Sequence, residues 1–240
     1  MSLLSLAAKS LGSRRASALL TLLSIALSTA LLVGVEKIRH AARAGFEQTV
    51  SGTDLIVGAR SGSINLLLYS IFRLGDATAN VSWRSYEGFS QRPDVAWTVP
   101  LSLGDSHKGY RVLGTDKSYF EHYRYGAGRK LDFAQGGEFE SVFDAVLGAE
   151  VAAKLGYKLG DDIVIAHGLK STAFSEHKDR PFHVTGVLKP TGTPVDRTIH
   201  ISLEGIEAVH IGWETGGPSM RSQELTADDM ENADLTPEAI

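Results

Sequence analysis

The stretch Ala16–Val35, ASALLTLLSIALSTALLVGV, contains no charged residue. As a helix, at about 1.5 Å per residue, it is roughly 30 Å long, the thickness of a bilayer's hydrocarbon core. The apolar region of a cleaved signal peptide is shorter, about 7–15 residues. Ala42-Arg43-Ala44 has the small-x-small form of a cleavage site. Glu36, Lys37, Arg39 and His40 stand between it and the apolar run, where a signal peptide is neutral. The stretch is therefore read as a retained membrane span, with a cleaved signal and a buried core helix as the alternatives.

Ser17, Thr21, Ser24 and Ser28 fall at i, i+4, i+7 and i+11, on one helical face. Small hydroxyl residues let a second membrane helix approach closely and bond across the contact. A lone anchor can carry such a stripe by chance. The periodicity runs on past the span. Val35, Ile38, Ala42, Gly45 and Thr49 follow at alternating steps of three and four, with Glu36, Lys37, Arg39, Arg43 and Glu47 between them. This spacing predicts a stalk helix continuous with the span, with a narrow apolar seam that needs a partner helix. Ahead of the span, MSLLSLAAKSLGS places Leu3, Leu4, Ala7 and Leu11 on one face. It reads as a short amphipathic helix at the membrane surface, or else as a disordered N-terminus. Lys9, Arg14 and Arg15 precede the span and Lys37, Arg39 and Arg43 follow it. The positive-inside rule is a draw on that count.

The chain has 240 residues and a formal net charge of −4. Such mild acidity argues against a nucleic-acid partner, which attracts a basic surface. The absence of cysteine excludes disulfides, thiolate metal sites and cysteine nucleophiles, and suits an oxidising compartment.

Beyond the stalk the reading is mixed. Thr53–Ala59 reads as a strand, and Ile64–Phe72 as a buried or interfacial helix, too short to span. Ser82 opens a helix that breaks before Pro93, and a strand runs over Val95–Leu103. YRVLGTD is a further strand. FDAVLGAEVAAKLGYKLGDDIVIAH predicts a strand, a helix over Ala149–Leu155 and a strand over Asp162–Ala166. FHVTGVLKPTGTPVDRTIHISLEGIEAV predicts two strands around a Pro/Gly turn, then a helix from near Leu203. Strands and helices mix without strict βαβ alternation, which predicts an α+β class. From Glu214 the chain has seven acids against one arginine and reads as a flexible loop, with Thr236-Pro237 opening another helix.

No catalytic constellation emerges. GLKST (Gly168–Thr172) resembles a P-loop, but Leu169 replaces its glycine, and GAGRKL fails G-x-G-x-x-G at the last position. There is no G-x-S-x-G and no H-E-x-x-H. His167, His177, His183, His200 and His210 are weak metal candidates without local ligand spacing, set against dispersed surface and strand histidines.

Taken together, LLTLLSIALSTALLVGVEKIR, SGTDLIVGA, VLGAEVAAKLGYKLGDDIVIA and FHVTGVLKPTGTPVDRTIHISLEGIEA resemble the FtsX-like ABC permeases. That group includes the macrolide exporter and the lipoprotein-release permeases. The resemblance implies an α+β periplasmic domain on a stalk helix continuous with one N-terminal transmembrane helix. It implies a cytoplasmic amphipathic helix (1–15), a membrane helix (16–35) and a stalk (36–50). A periplasmic core of two α+β subdomains (51–213) and an acidic loop (214–240) follow. It places the chain in a bacterial inner membrane with its N-terminus cytoplasmic.

The function implied is mechanotransmission. A separate cytoplasmic ABC ATPase binds the ATP, a second permease copy completes a homo- or heterodimer, and a periplasmic protein is a further partner. The chain itself is expected to be non-catalytic and to hold no cofactor. The family's three later membrane helices are missing here, so a truncated piece and a shortened, non-transporting scaffold that signals to a periplasmic partner both stay open. A metal-linked transport component is a further alternative.

The protein is expected to stay in the membrane pellet after an alkaline carbonate wash with its N-terminus intact. Recovery from the soluble fraction as a chain beginning at Gly45 would mean that Ala42-Arg43-Ala44 is cut.

Overall fold

A computed structural model describes residues 14–49, 51–75, 79–167, 180–211, 235 and 237. The surface helix expected over 1–13, His177, the GLKST segment and the acidic loop lie outside the described residues. The chain forms two units, Met1–Phe46 and Glu47–Ile240.

The first unit is the helix α1 (Arg15–Thr49), whose last turn belongs to the second unit. Its stretch Arg15–Gly45 is long and apolar enough to cross a membrane, and none of its most apolar window is buried. Leu19, Leu23, Leu27 and Leu31 are exposed. This exposure suits a membrane anchor better than the buried core helix of a soluble protein.

The second unit is built on one mixed sheet. Its strands are β1 (Ser102–His107), β2 (Tyr110–Thr115), β5 (Phe133–Gly136), β6 (Asp144–Leu147), β7 (Asp162–Ile163), β8 (Ala166–His167), β9 (Phe182–Leu188) and β10 (Thr198–Ser202), after the small hairpin β3 (Arg124–Tyr125) and β4 (Arg129–Lys130). The order is β5-β9-β6-β10-β2-β1-β8, with β7 paired to β9. β10 runs parallel to β2 and antiparallel to β6.

Side chains alternate across a strand, and the core divides accordingly. Val112, Ala145, Leu147, Ile199 and Ile201 join one cluster, with Phe182 and Val209. Their neighbours Leu113 and Val146 join another, with Tyr119, Phe120 and Leu188. All five residues of β10 are buried, as befits a strand covered on both faces.

The helices α2 (Ser63–Ser70), α3 (Trp83–Ser90), α4 (Ser118–His122), α5 (Ala149–Leu155) and α6 (Leu203–His210) attach to this sheet by local rules. Ser82 and Ser202 cap α3 and α6, accepting from Ser85 N at 3.3 Å and Gly205 N at 2.9 Å. Gly156, at φ 75°, ends α5 in the left-handed conformation that favours glycine. Arg180 closes α6, donating to the carbonyls of Ala208 at 2.6 Å and Ile211 at 3.1 Å.

Three expectations are corrected. Thr53–Ala59 joins no strand: Leu55 and Val57 are exposed, and Gly58 lies against Leu66 of α2 instead of a sheet edge. The strand expected over Val95–Leu103 begins only at Ser102, because Pro100 has no N–H to give to a ladder. The run Asp162–Ala166 splits, β7 pairing with β9 and β8 with β1. Between them the Val164 carbonyl accepts from His107 Nδ1 at 2.6 Å.

His200 sits in the middle of β10 with no exposed surface. Burial first, and then the nearby charge of Arg73, push its pKa down from 6.5 to about 3. The folded protein therefore holds it neutral while the unfolded chain protonates it below about 6.5, so the stabilisation is full above pH 6.5 and is lost as pH falls toward 3. In chemical denaturation, wild type is expected to lose up to about 1.4 kcal/mol per pH unit more than His200→Gln across that window. Equal acid slopes for the two proteins would contradict a neutral His200.

Candidate functional site

The last four carbonyls of a helix have no partner inside it. At the end of α1 the core supplies partners. Gly126 N donates to Gln48 O at 2.8 Å, and the Tyr123 hydroxyl donates to Thr49 O at 2.5 Å. Ser51 N then donates to Arg124 O at 3.1 Å, so the chain leaves the helix alongside β3. Thr49 is buried. The candidate site is this contact, inside the second unit, between the last helical residues Gln48 and Thr49 and the segment around β3.

The segment SYFEHYRYGAGR builds it. Tyr123 caps α4, its N–H donating to Tyr119 O at 2.9 Å. Gly126 and Gly128, at φ 55° and 80°, turn the β3–β4 hairpin. The Arg129 guanidinium stands 4.5 Å over the Tyr125 ring, which holds the turn. Burial raises the pKa of the Tyr123 phenol, so it stays protonated and remains a donor. The GAGRKL run, read in the sequence only as a failed phosphate loop, is thus the hairpin that receives the stalk.

Behind Tyr123 the rings continue inward. Tyr123 stacks on Tyr119 at 5.0 Å, and Tyr119 meets His200 at 5.2 Å. Phe120 also reaches His200, at 6.1 Å. A packed row of rings therefore leads from the stalk end to the central strand. Interiors packed this densely transmit strain. Arg73, just beyond α2, contributes charge to the same cluster, lowering the pKa values of Tyr119 and Tyr123 against the larger upward effect of burial.

The residues singled out from sequence fall as follows. Ser17, Thr21, Ser24 and Ser28 are all exposed, and Thr21 Oγ1 donates back to Ser17 O at 3.0 Å. Val35 and Ile38 are exposed, and nothing lies within 4 Å of the position a Cβ would take on Gly45. The Ala42 side chain is not among those described. Of the seam, Thr49 alone is seen buried, and it is buried in the core of its own chain.

Among the described residues the histidines do not converge. His183 Nδ1 pairs with Asp162 on the surface at 2.5 Å, and His210 Nε2 lies 3.6 Å from Asp105. His200 is interior, and His167 lies on β8, its side chain outside the description. Among the described residues no group of three His, Cys, Asp or Glu side chains could hold a metal. An open cavity of about 460 Å³ lies elsewhere, lined by Asp116, Lys117, Phe139, Glu140 and Glu204 among others. Its one lysine is already paired with Glu140 at 2.6 Å.

The sequence reading did not find Tyr123, Tyr119 or Arg73. The available signal was the density of aromatic residues around Gly126-Ala127-Gly128. Only the folded chain brings the end of α1 to it.

Two solved structures are similar. One is the periplasmic region of MacB from Actinobacillus actinomycetemcomitans, at 16% identity and a TM-score of 0.37, over 58% of this chain and 61% of that one. The other is the extracellular domain of the noncanonic ABC-type transporter YknZ from Gram-positive bacteria, at 15% identity and a TM-score of 0.36, over 68% of this chain and 91% of that one. This chain thus spans less than two thirds of the MacB region it matches. No curated protein matches the sequence. The MacB-like periplasmic core domain matches residues 18–240, from within the apolar helix to the last residue. The chain belongs to the MacB-like periplasmic core domain family.

Proposed function

We propose that the protein is a permease subunit of an ABC transporter that works by mechanotransmission. A separate cytoplasmic ATPase hydrolyses ATP, and the stalk carries the resulting movement to the periplasmic core. The core handles a periplasmic or membrane-embedded substrate. The observation that carries this reading is the end of α1, where Tyr123 and Gly126 close the helix carbonyls and join them to the sheet. A tether needs no such closure; a lever does. Family membership supports the reading.

In this reading α1 spans the inner membrane with its N-terminus inside and its core domain outside. The seam Val35, Ile38, Ala42, Gly45 packs against another helix of the permease or of its dimer mate. The hydroxyl face Ser17, Thr21, Ser24, Ser28 does the same within the bilayer. The chain has no catalytic role of its own.

Helix continuity should then matter more than side-chain identity on the wet face. Proline at Ala42 removes a backbone hydrogen bond and kinks the helix, at about 3 kcal/mol or more. The chain lacks cysteine, so a single Lys158→Cys label reports the core without further changes. In the intact permease with its ATPase, ATP is expected to change the label-to-label distance between two copies. Ala42→Pro should abolish that change while membrane insertion, ATPase binding and hydrolysis persist, and Lys37→Gln should leave it intact. An unchanged distance response in Ala42→Pro would make the stalk a tether and favour the scaffold alternative.

A further inference from the structure

The segment Thr53–Ala59, TDLIVGA, runs without a turn or bend and pairs with no strand of the sheet. Its side chains nevertheless alternate as those of a strand do. Leu55 is 81% exposed and Val57 56%, while Ile56 and Gly58 are half-buried, Gly58 against Leu66 of α2. Among the described residues, no backbone group of Thr53–Gly58 bonds to another backbone group. A row of open N–H and C=O groups beside exposed apolar side chains is a template for a further strand. The two ends of the segment carry opposite charges. Asp54 and Arg60 are both exposed, and among the described residues neither joins an ion pair.

That pattern decides which strand fits. Asp54 and Arg60 stand three residues to either side of Val57. Laid antiparallel on a second copy with Val57 opposite Val57, Asp54 of each copy falls opposite Arg60 of the other, and Leu55 opposite Ala59. Opposite charges in such cross-strand positions attract, and like charges repel. A slip of one residue sets the outward Leu55 and Val57 against the inward-facing positions of the other strand. A slip of two residues parts both charge pairs. Parallel pairing in register sets Asp54 beside Asp54 and Arg60 beside Arg60. The segment is thus complementary to itself about a two-fold axis through Val57, the symmetry of a closed dimer.

We propose that Thr53–Ala59 pairs antiparallel with the same segment of a second copy of this chain, in the register that sets Val57 opposite Val57. The second copy is taken from the transporter reading; the register is not. The strand pair adds a contact between two core domains to the helix contacts of that reading.

The chain has no cysteine, so single substitutions report the register in the full chain, held in lipid nanodiscs without ATP or an ATPase. Directly opposite Cα atoms of an antiparallel pair lie about 4.5–5.5 Å apart, within reach of a disulfide. Val57→Cys is therefore expected to form a covalent dimer on mild oxidation. Leu55→Cys, more exposed but about 14 Å from its own copy in this register, is expected to stay monomeric on a denaturing gel. Asp54→Arg and Arg60→Asp should each weaken dimerisation by about tenfold in analytical ultracentrifugation, because both charge pairs become repulsive, and the double reversal should restore it. Equal cross-linking at the two positions, indifference to either reversal, or no rescue by the double reversal would overturn the proposal. A monomeric chain whose Ile56 and Val57 amides resist hydrogen exchange would assign the segment to a strand of its own chain instead. A dimer in which Val57→Cys does not cross-link would overturn the strand pair and leave the transporter reading standing.

Discussion

A helix that ends without partners for its last carbonyls frays, and fraying ends carry no load. At Gln48 and Thr49 the core provides those partners through the Gly126 N–H and the Tyr123 hydroxyl. Each bond contributes a modest net amount, about 0.5–1.5 kcal/mol. Their placement matters more than their size. Both donors come from one short segment, the end of α4 and the β3–β4 turn, and that segment is held by the aromatic cluster around Tyr119. The junction is therefore only as firm as the core face behind it.

That core face is firm because β10 is buried on both sides. Ile199 and Ile201 face one cluster, while His200 faces the rings of Tyr119 and Phe120 on the other. A histidine at the centre of a sheet is tolerated here because it is neutral. Its Nδ1 lies 3.2 Å from the Val146 carbonyl. The same burial that lowers the pKa of His200 raises those of Tyr119 and Tyr123. All three rings are thus uncharged, and the cluster can pack as a core while keeping polar edges for specific bonds.

Much of the architecture was legible because it follows from local chemistry. Ser82 caps the helix it was expected to open, the helix expected from near Leu203 begins there, and Ala149–Leu155 is a helix between two glycines. The uninterrupted apolar run Ala16–Val35 and the seam after it form one helix. The α+β class followed from the order of such pieces. What was not legible depends on contacts distant in sequence. Thr53–Ala59 has the composition of a strand, but no sheet edge is offered to it. Asp162–Ala166 is one apolar run that changes partners midway. His200 looked like its neighbours in the list of histidines, and only the position of β10 between β2 and β6 makes it interior. Tyr123 was invisible because its hydrogen-bond partner is 74 residues away.

The claim that the stalk is built into the core is tested most directly by native-state hydrogen exchange at the Gly126 amide, the donor to Gln48. If the junction opens only when the sheet opens, Gly126 exchanges with about the protection of the β10 amides of Ile199 and Ile201. Tyr123→Phe should then speed exchange at Gly126 while leaving β10 unchanged. A Gly126 amide that exchanges by local fraying, far faster than β10 in the wild-type protein, would contradict a junction that transmits force and leave α1 as a tether.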